Sequence, residues 1–144
     1  MKIEKIIEES KSIGFTEIPN PAKPSDSTFI IKFVGSIQDF HNIIGPKIRF
    51  DITNITRKKK RELGYICQKC NKKNDVLDAA HRHGHELILV IEQILDKYTT
   101  NSAKSEIPDL QTVTDEIINA HYPLEKSFLF LCKPCHKKYD LEQE

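Results

Sequence analysis

Four cysteines, arranged as two identical pairs, are the residues of this sequence best suited to chemistry. Two residues separate the members of each pair, Cys67 from Cys70 and Cys132 from Cys135. A CxxC loop places two thiolates on one side of a tight turn, and two such loops supply the four ligands of a closed tetrahedral zinc site. The alternatives are two redox motifs or four unrelated buried cysteines, but the first pair lacks the strand–CxxC–helix setting of a thioredoxin-type motif. The spacing therefore predicts one structural zinc ion bound by all four thiolates.

Histidines lie close to both cysteine pairs and form a second group of candidate ligands. His81, which ends a segment of small and apolar residues, is followed at alternate positions by His83 and His85. For any one of these histidines, the ordinary interpretation is a polar surface turn. His136 directly follows the last cysteine and Asp140 lies four residues later, so a helix would place both on one face, one turn apart. An imidazole and a carboxylate at that spacing can bind one cation.

Hydrophobic periodicity and turn residues predict the elements that position these side chains. Helices are predicted over residues 2–11, 57–63, 86–98, 109–120 and 135–141, strands over residues 28–34, 76–81 and 127–131, and loops over residues 19–27 and 99–108. The last two strands each adjoin a cysteine pair, as expected for a hairpin closed by zinc. The two helices between these strands read as an insertion, and the fold class is α+β.

Length and composition are those of an ordinary globular domain. The chain has 144 residues, of which 38% are hydrophobic and 30% charged, which is enough for one domain with its own core. The first ten residues alternate isoleucine with lysine and glutamate and do not resemble a signal peptide. The longest apolar run, residues 87–91, is far too short to span a bilayer. We therefore expect a cytoplasmic protein without a membrane partner.

Positive charge is concentrated in one part of the chain. The net charge is only +1, yet residues 47–73 hold ten cationic and two anionic side chains, a local net charge of +8. Such a segment creates a positive field that attracts phosphates, although most charged runs are simply solvated surfaces. The candidates for phosphate contacts are Arg57, Lys58, Lys59, Lys60, Arg61, Lys69, Lys72 and Lys73.

The order of these features resembles that of the HNH endonuclease family. A CxxC pair is followed by a strand ending in Ala-Ala-His, and residues 128–140 then read FLFLCKPCHKKYD. The resemblance covers about residues 57–141 and is densest over residues 128–140. It implies a ββα-metal active site on a treble-clef-like, four-cysteine zinc scaffold. Residues 47–144 would then form the nuclease module with its two-helix insertion, and residues 1–46 an N-terminal α/β extension of helix, proline-rich loop and strand.

The resemblance also implies a role for each matching residue. His81 matches the histidine that acts as the general base and activates water. His136 matches a ligand of the catalytic divalent metal, Mg²⁺ or Mn²⁺, and Asp140 stands where a second ligand is usual. The four cysteines match the subset of the family that carries zinc.

Two positions depart from the family pattern. Ser127 stands where the middle asparagine is usual, and as a site residue its hydroxyl would hydrogen-bond the backbone and fix the loop, although less well than an amide with donors and an acceptor. Asn119 is another candidate for this role, but its spacing differs from that of the family. Ala80 stands where many members carry a further metal ligand, and His83 is the residue that could replace it.

The predicted function is a metal-dependent endonuclease that hydrolyses DNA phosphodiester bonds. The alternatives are a non-catalytic zinc module that binds DNA or RNA, and an interaction protein in which zinc only stiffens the scaffold. The sequence leaves a homodimer open.

Overall fold

The computed structural model describes residues 15–19, 29–100 and 104–142, so the helix predicted at residues 2–11 and most of the loop at residues 19–27 lie outside it. The described strands are β1 Phe15–Pro19, β2 Phe29–Ser36, β3 Asp78–His81, β4 Lys104–Ile107 and β5 Phe128–Leu131. The described helices are α1 Ile37–Ile43, α2 Gly45–Glu62, α3 Leu87–Leu95, α4 Leu110–Asn119, α5 Leu124–Ser127 and α6 Lys133–Leu141, with a 3₁₀ turn at Asp96–Tyr98. The fold class is α+β, as predicted.

The strands form two separate antiparallel sheets. One sheet has the order β1-β2-β4, and the other pairs β3 with β5. In the second sheet Asp78 lies opposite Leu131 and His81 lies opposite Phe128. The chain continues from β5 into α6, so β3, β5 and α6 make a strand–strand–helix unit that carries three of the candidate residues, His81, His136 and Asp140.

The prediction of a polar loop over residues 99–108 is wrong, because part of it forms β4. This strand pairs with β2, with Ile107 opposite Phe33 and Lys104 opposite Ser36. Its side chains alternate between exposed and buried, and Ser105 and Ile107 point inward. A four-residue strand with one apolar side chain carries little local signal, and its pairing partner is distant in sequence.

The predicted basic helix at residues 57–63 is the last third of a longer helix. The helix α2 begins at Gly45, and its proline, Pro46, occupies the first turn, where a missing N–H removes no helical hydrogen bond. Ile48, Ile52 and Thr56 recur every four residues and are buried. Gly64, with φ +61°, ends the helix as predicted, because glycine adopts the left-handed conformation without a steric penalty.

One hydrophobic core joins the two sheets and the helices between them. It contains Phe33 and Phe40 from before residue 46, Leu95 and Ile117 from the insertion, and Phe130 from β5, all fully buried. Residues on both sides of position 46 therefore share a core, and the insertion packs into it. Among the described residues, no helix combines the length and apolar character required to cross a bilayer.

Candidate metal centre and histidine site

The structure brings the four cysteines together. The Sγ atoms of Cys67, Cys70, Cys132 and Cys135 all lie within 4.8 Å of one another, and the Cys70 and Cys132 sulfurs are 3.9 Å apart. Zinc–thiolate bonds of about 2.3 Å in a tetrahedron place two sulfurs about 3.8 Å apart, so the arrangement fits that geometry. The prediction that these cysteines can share one metal ion is confirmed.

Backbone hydrogen bonds shape the first cysteine loop around its sulfurs. The N–H of Cys67 donates to the carbonyl of Lys72 (3.0 Å), and the N–H of Asn71 donates back to the carbonyl of Cys67 (2.9 Å). Asn71 has φ +60°, a left-handed conformation that asparagine tolerates better than most residues. The N–H of Lys69 points at the Cys67 sulfur, 3.4 Å away. This closed loop presents both of its thiols to the second pair.

Gln68, which the sequence did not single out, attaches the first cysteine loop to β5. Its N–H donates to the carbonyl of Phe130 (2.9 Å), and its side-chain oxygen accepts from the N–H of Phe130 (2.8 Å). Phe130 is two residues before Cys132, so this reciprocal pair holds the two cysteine loops in register. Gln68 is exposed and polar, which gives no signal in a single sequence.

Two of the four thiols, Cys67 and Cys135, differ strongly in acidity. Burial raises the pKa of Cys67, but backbone N–H donors at Cys70, Cys132 and Lys69 outweigh burial and lower this pKa to about 6. A hydrogen bond with the Cys132 thiol, together with burial, raises the pKa of Cys135 to about 12. Of these two thiols Cys67 therefore ionises more readily, and a bound divalent cation would favour the thiolate form of its ligands.

On α6, His136 lies between two carboxylates. Its Nδ1 is 3.0 Å from Oδ2 of Asp78, and its Nε2 is 3.5 Å from Oδ2 of Asp140. A carboxylate only accepts hydrogen bonds, so the Nδ1–H of His136 donates to Asp78. Nε2 faces Asp140, and in the neutral ring that a cation needs this nitrogen would carry the lone pair. Asp78, His136 and Asp140 thus form an array in which His136 is the middle member. The Asp140 side chain is 63% exposed, so the Asp140 end of this array lies at the surface.

Two ligands bound to one cation through bonds of about 2.1 Å lie about 3.0–3.5 Å apart. The separation of His136 and Asp140 therefore fits the predicted cation site. Asp78, which the sequence did not single out, acts on the opposite ring nitrogen. A carboxylate that fixes the tautomer of a metal-binding histidine is a common partner at such sites. Asp78 also attracts Lys133, 3.6 Å away.

His81 ends β3 and its ring contacts a second histidine. The Nε2 atoms of His81 and His121 are 3.3 Å apart, and the His81 ring packs against Phe128 with ring centres 4.6 Å apart. Burial lowers the pKa of His81 to about 4, and His121 adds to the shift by repelling positive charge. His136 lowers this pKa by the same repulsion, more weakly, and Glu86 opposes it. His81 is thus a neutral imidazole within electrostatic range of His136.

The remaining predicted site residues have different surroundings. The buried Ser127 accepts a hydrogen bond from the Arg82 N–H through its backbone carbonyl (2.8 Å). The His83 ring stacks on Tyr139 of α6, with centres 4.1 Å apart, and Ala80 is buried. Within the described parts of the chain, only the cysteines form a group of three or more close metal-ligating side chains. A cation at His136 and Asp140 would therefore have two protein ligands from this set.

The predicted phosphate-contacting residues differ in their ion pairing and exposure. Lys59 forms an ion pair with Glu125 (2.8 Å), and Lys69 forms one with Glu142. Burial lowers the pKa of Lys60, while the charge of Asp78 raises it, so Lys60 lies near the His136 array. Exposed members of the predicted set are Arg57, Lys58, Arg61, Lys69, Lys72 and Lys73, and Lys58 also lies 3.9 Å from the Glu62 carboxylate.

The comparisons give this chain no family. No protein-family model matches it, and neither a curated protein nor a solved structure does. The geometry of the site therefore carries the functional interpretation.

Proposed function

We propose that this protein is an HNH-type, metal-dependent endonuclease that hydrolyses DNA phosphodiester bonds. The observation that carries the proposal is the joint placement of His81 and the array Asp78–His136–Asp140. Both lie on the strand–strand–helix unit that the cysteine cluster closes, and His136 is near enough to His81 to affect its pKa. A neutral base and a cation site on one unit suit the hydrolysis of a phosphodiester bond.

His81 is the general base in this proposal. An imidazole that stays neutral at pH 7 can accept a proton from water, and the resulting hydroxide attacks the phosphorus. His81 is only partly buried, so a water molecule can reach it. Phe128 packs on its ring and limits the orientations that the ring can adopt.

His136 and Asp140 would hold the catalytic cation, with Asp78 fixing the His136 ring. Bound Mg²⁺ or Mn²⁺ supplies positive charge that stabilises the developing charge on the phosphate and the leaving oxygen. The imidazole and carboxylate donors suit Mn²⁺ at least as well as Mg²⁺. The cysteine cluster would hold zinc as a scaffold ion, because four thiolates leave no open position for a substrate.

Replacing Asp78 with asparagine is expected to weaken Mn²⁺ binding at His136 by roughly 10- to 100-fold, because the ring loses the carboxylate that fixes its Nδ1–H tautomer. Electron paramagnetic resonance of free Mn²⁺, titrated against zinc-loaded protein, measures this affinity without reference to activity. The matched control is Asp75→Asn, which removes the same charge from an exposed position in the loop before β3. Equal Mn²⁺ affinities in the two variants would remove Asp78 from the metal site.

The proposed function is tested by plasmid nicking with Mg²⁺ and with Mn²⁺, combined with a gel-shift assay in the absence of either ion. We expect metal-dependent conversion of supercoiled to open-circular or linear DNA. We also expect binding that weakens steeply as salt rises, because phosphate contacts release counterions. Absence of nicking by zinc-loaded protein with every divalent ion would end the nuclease proposal.

One observation favours a second candidate, a zinc module that binds DNA or RNA without cutting it. Ala80 is 1% exposed and apolar where many HNH nucleases carry a metal ligand. Asp78, two residues earlier, projects from the same face of β3 by strand alternation, but its carboxylate contacts His136. Salt-sensitive DNA or RNA binding without nicking would establish this second candidate.

A further inference from the structure

A fully buried histidine, His121, contacts the proposed general base. It lies two residues after α4 and is 0% exposed. Its Nδ1 is 2.7 Å from the carbonyl oxygen of Ile117, and its Nε2 is 3.3 Å from Nε2 of His81. Its ring stacks on Phe128, which also packs on His81, so one phenyl ring supports both imidazoles.

The hydrogen bonds determine which ring nitrogens carry protons. A carbonyl oxygen only accepts, so His121 must donate from Nδ1, and in a neutral ring its Nε2 is then an acceptor. The Nε2 of His81 must therefore be the donor in the contact between the rings. A neutral His81 then keeps its lone pair on Nδ1, for which the described residues provide no hydrogen-bond partner.

We propose that His121 is a positioning residue that holds His81 in its Nε2–H tautomer, so that Nδ1 is the atom that takes the proton from water. The inference rests on the proposed nuclease function and names the basic atom of that site. One O–H bond of the water breaks and its proton binds the lone pair of Nδ1. The hydroxide oxygen bonds to phosphorus, and the P–O bond that breaks leaves its electron pair on the departing oxygen. His81 becomes an imidazolium whose Nε2–H still donates to His121, so the ring need not turn.

The direct test is long-range ¹H–¹⁵N NMR of the zinc-loaded, ¹⁵N-histidine-labelled full chain at pH 7, without Mg²⁺ or Mn²⁺. The expected spectrum shows a protonated Nε2 and an unprotonated Nδ1 for His81, with the reverse assignment for His121. Three outcomes would overturn the inference: an Nδ1–H tautomer of His81, a mixture of its tautomers, or shifts typical of a metal ion bound between the rings. This measurement stands whether or not the protein cuts DNA.

Two variants extend the test to catalysis. His121→Phe keeps ring volume but removes the acceptor, and we expect a mixture of His81 tautomers with kcat lowered roughly tenfold at unchanged KM. His121→Gln places an amide oxygen as acceptor, and we expect it to restore the Nε2–H tautomer and most of kcat. Equal kcat in the wild type and His121→Phe would overturn the inference. If His121→Phe fails to fold, the inference is tested by the wild-type NMR spectrum and by the His81 tautomer and kcat of His121→Gln. A wild type that shows the expected tautomers but never nicks DNA would end the nuclease proposal while leaving the histidine pairing established.

Discussion

Replacing Cys132 with serine is expected to abolish stoichiometric zinc binding and to unfold at least the unit of β3, β5 and α6. Cys132 joins the end of β5 to the start of α6, so its loss opens the cluster where the strand meets the helix. Structural zinc sites contribute about 10 kcal/mol or more to folding in small zinc modules. Whole domains are stable by only about 5–15 kcal/mol. Metal analysis and thermal unfolding with and without a zinc chelator measure both effects.

The wild type is expected to contain one zinc ion per chain, to lose thermal stability with the chelator, and to regain it when zinc is added back. Cys67→Ser, which removes a ligand from the other cysteine loop, should behave like Cys132→Ser. Zinc added to either variant should not restore wild-type stability. If the wild type contained no metal and its unfolding temperature changed with neither chelator nor zinc, the cluster would hold no structural ion.

Replacing His81 with alanine is expected to lower the plasmid-nicking rate by roughly 10²- to 10⁴-fold while zinc content and the unfolding temperature stay close to wild type. The side chain that accepts the proton from water is lost together with its contacts to Phe128 and His121, but the zinc ligands and the hydrophobic core residues are all retained. The assay is single-turnover nicking at saturating Mn²⁺. His85→Ala is the matched control, because His85 is an exposed histidine in the loop that follows β3.

The pH dependence of nicking provides an independent check on His81. For a histidine with an ordinary pKa near 6.5, the fraction of molecules with a neutral ring would fall roughly eightfold between pH 7 and pH 5.5. Burial lowers the pKa of His81 to about 4, so His81 takes up a proton only in more acidic solution and stays neutral over that range. We therefore expect the nicking rate of zinc-loaded protein at saturating Mn²⁺ to change little from pH 7 to pH 5.5. Undiminished nicking by His81→Ala would remove this residue from the mechanism.

The parts of the site that were predictable from sequence are those fixed by short spacings. The two CxxC loops and the pair His136–Asp140 depend on turn and helix geometry within four residues, and the structure shows both arrangements. The strands β3 and β5 were also predictable, because each lies in a short run of small or apolar residues near a cysteine pair. DNA binding and catalysis remain predictions.

The contacts that sequence analysis missed join distant segments. Asp78 reaches His136 across 58 residues, and His81 meets His121 across 40. One of these had a local signal: His121 lies four residues after the buried Ile117 and continues the apolar stripe of α4. Asp78 had none, because a carboxylate on a half-buried strand gives no indication of its partner. The strand β4 was missed for the same reason, since its partner β2 is far away in sequence.

The most direct test of the proposed site is anomalous diffraction from crystals of zinc-loaded protein grown with Mn²⁺. Data collected at the zinc and manganese absorption edges identify each ion separately. We predict zinc among the four cysteine sulfurs, and manganese bound to Nε2 of His136 and the Asp140 carboxylate on the side of the site that carries His81. A map with zinc at the cysteines but no manganese at His136 would contradict the proposal of a catalytic metal site.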